Sequence, residues 1–261
     1  MQNQWMDYIL LALFTGISIT LIRSGSKEDK LQNVSIWKDR MIALIIFMVI
    51  NISFWACFEQ AGTSLTLFAD RNVDRFIFGW EMPASMTQFF NPFFIILFGS
   101  IFSVMWVKLS KIGKNPSIPL KFCFGIVQLA LGFLLTQVGF QFVNEAYQVP
   151  ILTLVFLYML HTTGELFLSP IGLSMVTKLS PKSMAGTAMG AWVLSFAIAN
   201  YVGGKIAALT GGHGGGEVTS AEDGLLQYLD TFATIGYVLL AIAALIFVLN
   251  KPIQKLMHGV E

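Results

Sequence analysis

The chain has 261 residues and a formal net charge of +1; 55% of its residues are hydrophobic and only 12% are charged. Soluble domains carry about a quarter charged residues, so this composition excludes an ordinary soluble domain and is typical of a helical membrane protein with several spans. A charge so close to zero indicates no nucleic-acid partner. We therefore predict an all-α integral membrane protein.

Apolar runs recur along the chain at intervals that suit membrane-spanning helices. A bilayer core of about 30 Å needs about 20 apolar residues in helical conformation. Seven runs approach or exceed this length, at about 6–22, 41–60, 86–107, 118–138, 149–177, 184–209 and 228–250. The first run is short enough to be peripheral to the membrane. We expect the remaining six to form one bundle.

The basic residues alternate between the loops that join these runs. All but three of the sixteen Lys and Arg residues follow the first, third, fifth and seventh runs, and the exceptions are Arg71, Arg75 and Lys205. The positive-inside rule assigns the basic loops to the cytoplasm. We therefore predict a multi-pass protein of the lipid bilayer whose N-terminus is outside and whose C-terminus is cytoplasmic.

Three shorter segments and two cysteines complete the layout. The less apolar segment 61–85 is expected to extend the second helix beyond the membrane and to turn at Pro83. The glycine-rich stretch 211–217, with His213, is predicted to be an external loop, and "GTAMG" at 186–190 is a small-residue pattern typical of close helix packing. Cys57 and Cys123 lie inside apolar runs, where we expect them to pack as small apolar side chains.

The fifth run contains the polar stretch "HTTGELFLSP" at 161–170. A charged side chain at the bilayer centre costs about 2.5–3.5 kcal/mol on insertion scales, and such residues usually line a pathway. Helical spacing puts Tyr158, His161, Glu165, Ser169 and Gly172 on one stripe, which favours a water-filled lumen over a simple bond to a neighbouring helix. A structural role is the better hypothesis for His161 alone.

The same stretch contains a candidate hinge. Pro170 lacks an N–H, so the carbonyl of Leu166 loses its helical partner, and Gly164 lies near this weak point. We predict that Gly164 and Pro170 allow the helix to bend beside Glu165.

A second acid, Glu59, lies towards the outer end of the second run, where an interfacial role and a pathway role are equally favoured. No Lys or Arg lies deep in any run, so neither acid has a cation in this chain. Desolvation favours the neutral form of a carboxyl group, and a group that ionises when water or a cation arrives can carry a proton. The missing cation is expected from another polypeptide segment.

Four stretches together resemble the proton-coupled oligopeptide transporter family of the major facilitator superfamily. They are "FWACFEQAGTSLTLFADRNVD" at 54–74, "PASMTQFFNPFFIIL" at 83–97, "GELFLSPIGLSMVTKLSP" at 164–181 and "MAGTAMGAWVL" at 184–194. The resemblance covers helices seven to twelve, which implies residues 36–261 as the C-terminal six-helix half of the fold. Residues 1–35 would then be one extra hydrophobic helix and a cytoplasmic linker, and the N-terminal six-helix half would be a missing partner.

The resemblance also implies site residues. Glu165 matches an acid that binds the amino terminus of a peptide, and Ser169 matches a serine of the same pocket. Asn91 matches an asparagine that bonds the peptide backbone, and Trp192 matches a tryptophan that lines the cavity. Glu59 matches an acid that pairs with a lysine of the first half and couples peptide binding to proton movement.

The implied function is proton-coupled uptake of di- and tripeptides across the bacterial inner membrane by alternating access, with the proton as coupling ion and no cofactor. Two alternatives remain open at this stage: a proton-coupled symporter of another small solute such as an amino acid, and a non-transporting membrane scaffold or fragment. An intramembrane hydrolase would need a nucleophile with its base, or a metal set, and the runs contain neither. We therefore expect a protein that is not an enzyme.

Overall fold

A computed structural model describes residues 4–210 and 220–260 of the chain. These residues form eight α-helices: α1 (Gln4–Gln32), α2 (Trp37–Phe58), α3 (Ser64–Asn72), α4 (Phe90–Lys111), α5 (Ile118–Phe140), α6 (Ile151–Leu179), α7 (Ala185–Thr210) and α8 (Ala221–Met257). Short 3₁₀ segments occupy Glu59–Gly62, Ala84–Phe89 and Lys182–Met184. The predicted loop at 211–217, with His213, lies outside the described residues.

Seven stretches of helix in the described ranges are long and apolar enough to cross a membrane, which confirms the seven predicted spans. They are Trp5–Gln32, Trp37–Asn72, Ala84–Lys111, Ile118–Phe140, Ile151–Leu179, Lys182–Leu209 and Ala221–Met257. The expectation of a short first element is wrong, because α1 has 29 residues and is therefore about 44 Å long. The chain is thus a six-span bundle preceded by one further hydrophobic helix.

The segment after the second span reverses direction at Phe78 and Gly79, which have φ angles of 50° and 83°, and not at the predicted Pro83. The helix breaks into the 3₁₀ segment Glu59–Gly62, resumes as α3, and is followed by two-residue strands. β2 (Phe76–Ile77) pairs antiparallel with β3 (Trp80–Glu81), and Pro83 precedes the next helical turn. The Arg75 guanidinium joins Glu81 at 2.9 Å and the carbonyl of Met82 at 2.5 Å, so it holds both sides of this hairpin.

The core of the bundle is aromatic and aliphatic and lies between α2, α5, α6 and α8. Phe47 of α2 contacts Phe122 of α5 with ring centroids 5.0 Å apart, and Phe133 of α5 contacts Phe232 of α8 at 5.6 Å. Cys57 and Cys123 are both buried, as expected for apolar packing residues. Burial of these side chains orders four helices around one centre.

α5 and α6 approach each other closely through glycines. A Cβ placed on Gly125 would lie 2.8 Å from the carbonyl oxygen of Gly164 and would also overlap the side chain of Leu168. By contrast, a Cβ on Gly186 or Gly190 would meet nothing within 4 Å. The interpretation of residues 186–190 as a close packing motif is therefore wrong within this chain. Close contacts are made instead by other glycines, including Gly125, Gly164 and Gly203.

The two ends of the bundle are braced differently. At the end that carries most Lys and Arg residues, here called the basic end, the carboxylate of Asp29 accepts bonds of 2.8–3.0 Å from the backbone amides of Ile36, Trp37 and Lys38. Asp29 thereby supplies the N-cap that α2 lacks from its own residue Ile36. The predicted linker is accordingly short, since only residues 33–36 separate α1 from α2.

At the opposite end, here called the acidic end, the loops are joined by hydrogen bonds from the backbone and from the side-chain amide of Asn72. β1 (Val73–Asp74) pairs in parallel with β4 (Val149–Pro150). The buried amide of Asn72 donates to the carbonyls of Tyr147 and Ala221, at 3.2 and 3.1 Å. Three separate chain segments are fixed to one another in this way.

Gly125→Ala is expected to lower the free energy of unfolding by about 1–3 kcal/mol, because the added methyl group overpacks the α5–α6 crossing. Gly16→Ala is the matched control, since a Cβ there meets nothing within 4 Å on an exposed helix. Thermal unfolding of the purified protein in detergent measures both. An equal midpoint for the two variants would contradict the role of Gly125.

Candidate functional site

A hydrogen-bonded polar cluster joins the start of α4 to the middle of α6. The Nδ2 atom of Asn91 donates to the Oε2 atom of Glu165 at 3.1 Å and to the Oγ1 atom of Thr162 at 3.1 Å. Thr162 and Glu165 are three residues apart on α6, so helical geometry turns both towards Asn91. The structure thus brings together two residues of the predicted site, Asn91 and Glu165.

The sequence explains why Asn91 can reach this position. Asn91 lies in the first turn of α4, directly after the 3₁₀ segment Ala84–Phe89. Pro92 follows it, and a proline in the first turn costs no helical hydrogen bond because the N–H groups there have no intrahelical acceptor. The amide side chain is therefore anchored at a helix start beside α6.

Glu165 is half-buried and Glu59 is exposed. Glu59 begins the 3₁₀ break after α2 and is near enough to Glu165 for the two carboxylates to repel each other. The salt bridges between described residues involve neither acid. Two carboxylates thus share one region of the surface, and no Lys or Arg side chain is paired with either.

Other predicted site residues lie apart from this cluster. Ser169 is exposed one turn beyond Glu165, and Pro170 is exposed inside α6, which continues through it to Leu179. Trp192 is only 2% exposed, and its ring lies against Gly172, where an added Cβ would be 2.7 Å from its Cζ2 atom. Trp192 is therefore in a closed helix contact between α6 and α7.

The predicted polar stripe of α6 is wrong for most of its length. Tyr158, His161 and Gly172 are buried inside the chain, and the ring of His161 packs 4.7 Å from that of Phe133. Only Glu165 and Ser169 of the stripe reach the surface. Gly164 is buried at the crossing with α5, so a packing role is evident for it beside the predicted role in bending.

Two polar contacts, made by Thr162 and Gln60, were not predicted from the sequence. Thr162 completes the cluster, and its spacing of three from Glu165 could have indicated this. Gln60 is fully buried and donates to the carbonyls of Ala56 at 2.8 Å and Gly203 at 3.0 Å. Gln60 thereby ties the broken helix after α2 to α7, and its position beside Glu59 and Gly62 was the available indication.

The surface beside the cluster is poorly covered by the rest of the chain. Of the 22 residues of α4, only Phe94 is buried. On α7, Gly186, Gly190, Val193, Ala197 and Gly204 are all exposed. The helices that flank Glu165 and Glu59 therefore present open faces, while α2, α5 and α6 are packed.

Comparison with known proteins places the chain in a family. The family model described as PTR2, the POT family, matches residues 2–216. The chain belongs to the POT family. The resemblance found in the sequence is confirmed, and the fold is that of a POT-type transporter.

Relatives and a solved structure agree with the family match. The chain is 36% identical over 224 residues to the peptide transporter YePEPT of Yersinia enterocolitica, covering 85% of this chain and 42% of the relative. It is 34% identical over 253 residues to dipeptide and tripeptide permease A of Yersinia pestis, covering 97% of this chain and 48% of the relative. A crystal structure of a peptide transporter POT in complex with sulfate superposes with a TM-score of 0.79 and 28% identity, over 99% of this chain and 49% of that one.

The chain therefore spans about half the length of the POT relatives that it matches. These relatives are transporters rather than enzymes, and the match corresponds to the C-terminal half of the POT fold.

Gln60→Leu is expected to lower the free energy of unfolding by about 1–3 kcal/mol, because a buried donor that links two helices is lost and the Gly203 carbonyl loses this bond. Asn200→Leu is the matched control, since that exposed amide donates only within its own helix, to Phe196. Chemical or thermal unfolding compares them. If both variants lose the same stability, the link through Gln60 is not what holds α7.

Proposed function

We propose that this chain is the C-terminal half of a proton-coupled transporter that takes up di- and tripeptides across a bacterial inner membrane by alternating access. The observation that carries the proposal is the Asn91–Glu165 contact, a partly exposed carboxylate paired with an amide on an apolar helix. Membership of the POT family and the names of its peptide-transporting relatives support the substrate class.

The chemistry of the cluster suits the amino terminus of a peptide. A peptide ammonium group would donate to the carboxylate of Glu165, which has lone pairs beyond the bond from Asn91. The Nδ2 atom of Asn91 donates to Glu165 and Thr162. Its Oδ1 atom can accept a hydrogen bond from a peptide N–H. Ser169, exposed one turn further along α6, extends the same surface towards the rest of the substrate.

The role proposed for Trp192 is limited to forming part of the cavity wall behind the substrate. The ring packs on Gly172 and, at a centroid distance of 6.2 Å, on Phe196. A tryptophan in this position would shape the α6–α7 surface without offering its whole face to a peptide.

Proton coupling is assigned to Glu59. A lysine from the N-terminal six-helix half would pair with this exposed carboxylate when it is ionised, and a proton from water would release the pair by neutralising the carboxylate. Glu59 and Glu165 repel each other when both are ionised. Protonation of Glu59 would therefore favour the ionised form of Glu165, and a cationic peptide terminus bound to Glu165 would favour the ionised form of Glu59. Substrate binding and proton movement are thereby linked.

Alternating access needs a second half and a helix that can bend. The open faces of α4 and α7 are the surfaces that the N-terminal half would complete, with the substrate between the halves. Bending of α6 at Pro170, where the carbonyl of Leu166 lacks its helical donor, would open or close the mouth at the basic end. Gly164 would act with Pro170 through its close contact with α5.

In a twelve-helix protein that carries this half, Glu165→Gln is expected to weaken dipeptide binding by about 1.5–3 kcal/mol, an affinity loss of about tenfold or more, because a charge-assisted hydrogen bond is lost. Glu145→Gln, at an exposed loop residue, is the matched control. Uptake of labelled dipeptide into proteoliposomes under an inward proton gradient measures the effect.

An N-acetylated dipeptide sharpens the test, because it lacks the ammonium group and should bind the wild-type protein and Glu165→Gln equally weakly. Unchanged dipeptide uptake by Glu165→Gln would refute the binding role. Stronger competition by a free amino acid than by a dipeptide would favour the alternative of an amino acid symporter, and no uptake of any solute would favour a scaffold.

The proposed orientation puts the N-terminus outside and the basic end in the cytoplasm. Cysteines introduced at Glu145 and Lys111, which are exposed at the acidic and basic ends, report on it, because native Cys57 and Cys123 are buried. A membrane-impermeant maleimide should label Glu145→Cys in intact cells and Lys111→Cys only after permeabilisation. The reverse pattern would overturn the orientation.

A further inference from the structure

An ion pair joins α1 to α7 near the acidic end of the bundle. The Nζ atom of Lys205 on α7 bonds the Oδ1 atom of Asp7 on α1. Tyr201 lies one turn before Lys205, and its ring centroid is 5.1 Å from the Lys205 Nζ atom. α7 is thereby joined to a helix that lies outside the six-span half.

Aromatic side chains mark the depth of this ion pair. Trp5 and Tyr8 flank Asp7 on α1 and are 76% and 65% exposed, and Tyr201 lies beside the pair on α7. Trp and Tyr concentrate where a membrane meets water, because their rings are apolar and carry one polar group. The aromatic residues therefore indicate a position near the lipid headgroups for Asp7 and Lys205.

An apolar groove continues from the ion pair along α1, α2 and α7. It has a volume of about 390 Å³, which lies in the range of small-molecule sites. Its walls include Leu11, Phe14, Val49, Ile52, Ile198 and Val202. Leu11 and Val49 are exposed, so the groove is open from the side.

The ion pair has bonding capacity left for a ligand. The side chains of Lys205 and Asp7 remain 37% and 43% exposed. An ammonium group has three donors and a carboxylate has two acceptor oxygens, of which only Oδ1 of Asp7 bonds Lys205. The ion pair therefore still offers N–H donors of Lys205 and the second carboxylate oxygen of Asp7, beside an apolar groove.

We propose that this groove binds one acyl chain of a phospholipid whose zwitterionic headgroup carries a primary ammonium. The lipid phosphate accepts from Lys205, and its ammonium donates to Asp7. A quaternary ammonium headgroup has no N–H to donate, and an anionic headgroup without an amine leaves Asp7 facing negative charge. The charge pair and the groove together thus select one headgroup chemistry.

Native mass spectrometry of the purified, delipidated protein tests this with phosphatidylethanolamine, phosphatidylcholine and phosphatidylglycerol of identical acyl chains. We expect phosphatidylethanolamine to be retained about fivefold more than either of the others, the size expected for one half-exposed ionic contact. Lys205→Met and Asp7→Asn should each abolish this preference. Lys111→Met and Glu145→Gln, at exposed residues of the two ends, should keep it.

Val49→Phe separates lipid binding from a purely structural link between α1 and α7, because it fills the groove and leaves Asp7 and Lys205 intact. Loss of lipid retention in this variant supports the groove as the binding site. Equal retention of the three lipids by the wild-type protein, or a preference that survives in Lys205→Met, Asp7→Asn and Val49→Phe, overturns the proposal. The readout is bound lipid, so failure here is distinct from failure of peptide transport.

Discussion

A carboxyl group in the middle of an apolar helix loses its hydration shell, and groups around Glu165 offset the free energy of this desolvation. Hydrocarbon offers no hydrogen bonds, so a half-buried acid needs a donor from a neighbouring helix and contact with water. Asn91 supplies the donor at 3.1 Å. Its position depends on a helix that starts at Phe90, and the position of α6 depends on the glycine crossing with α5. The candidate site therefore depends on the packing of the helices that carry Asn91 and Glu165.

Polar side chains of the spans fall into two groups with different roles. Asn51 donates to Ser195 at 2.8 Å, and Gln60 donates to α7; both are buried and hold helices together. Glu59 and Ser169 are exposed, and α4 and α7 also carry exposed faces. Asn51 and Gln60 therefore have a structural role, whereas Glu59 and Ser169 lie where water, a substrate or another segment can reach them.

Both ends of the bundle are closed by bonds between distant segments, which leaves the middle free to present that face. Asp29 caps α2, Arg40 donates to the carbonyls of Met257 and His258 at 3.2 and 3.1 Å, and the acidic end is joined through Asn72. These bonds fix α2 to α1 and to the C-terminal residues, and Asn72 to the two loops beside it. α7 is held separately, by the bonds from Asn51 and Gln60.

The sequence by itself determined the seven spans, because span length and hydropathy are properties of each stretch of sequence and decide whether it can cross a bilayer. It also determined the resemblance to the POT family. It also singled out Asn91 and Glu165 through that resemblance. Only the tertiary structure decided that these two side chains meet, that Trp192 and His161 are buried, and that Gly125 and Gly164 rather than Gly186 and Gly190 form the close crossing. Helical periodicity tells which residues share a face, but the neighbour of that face is set by how all the helices pack at once.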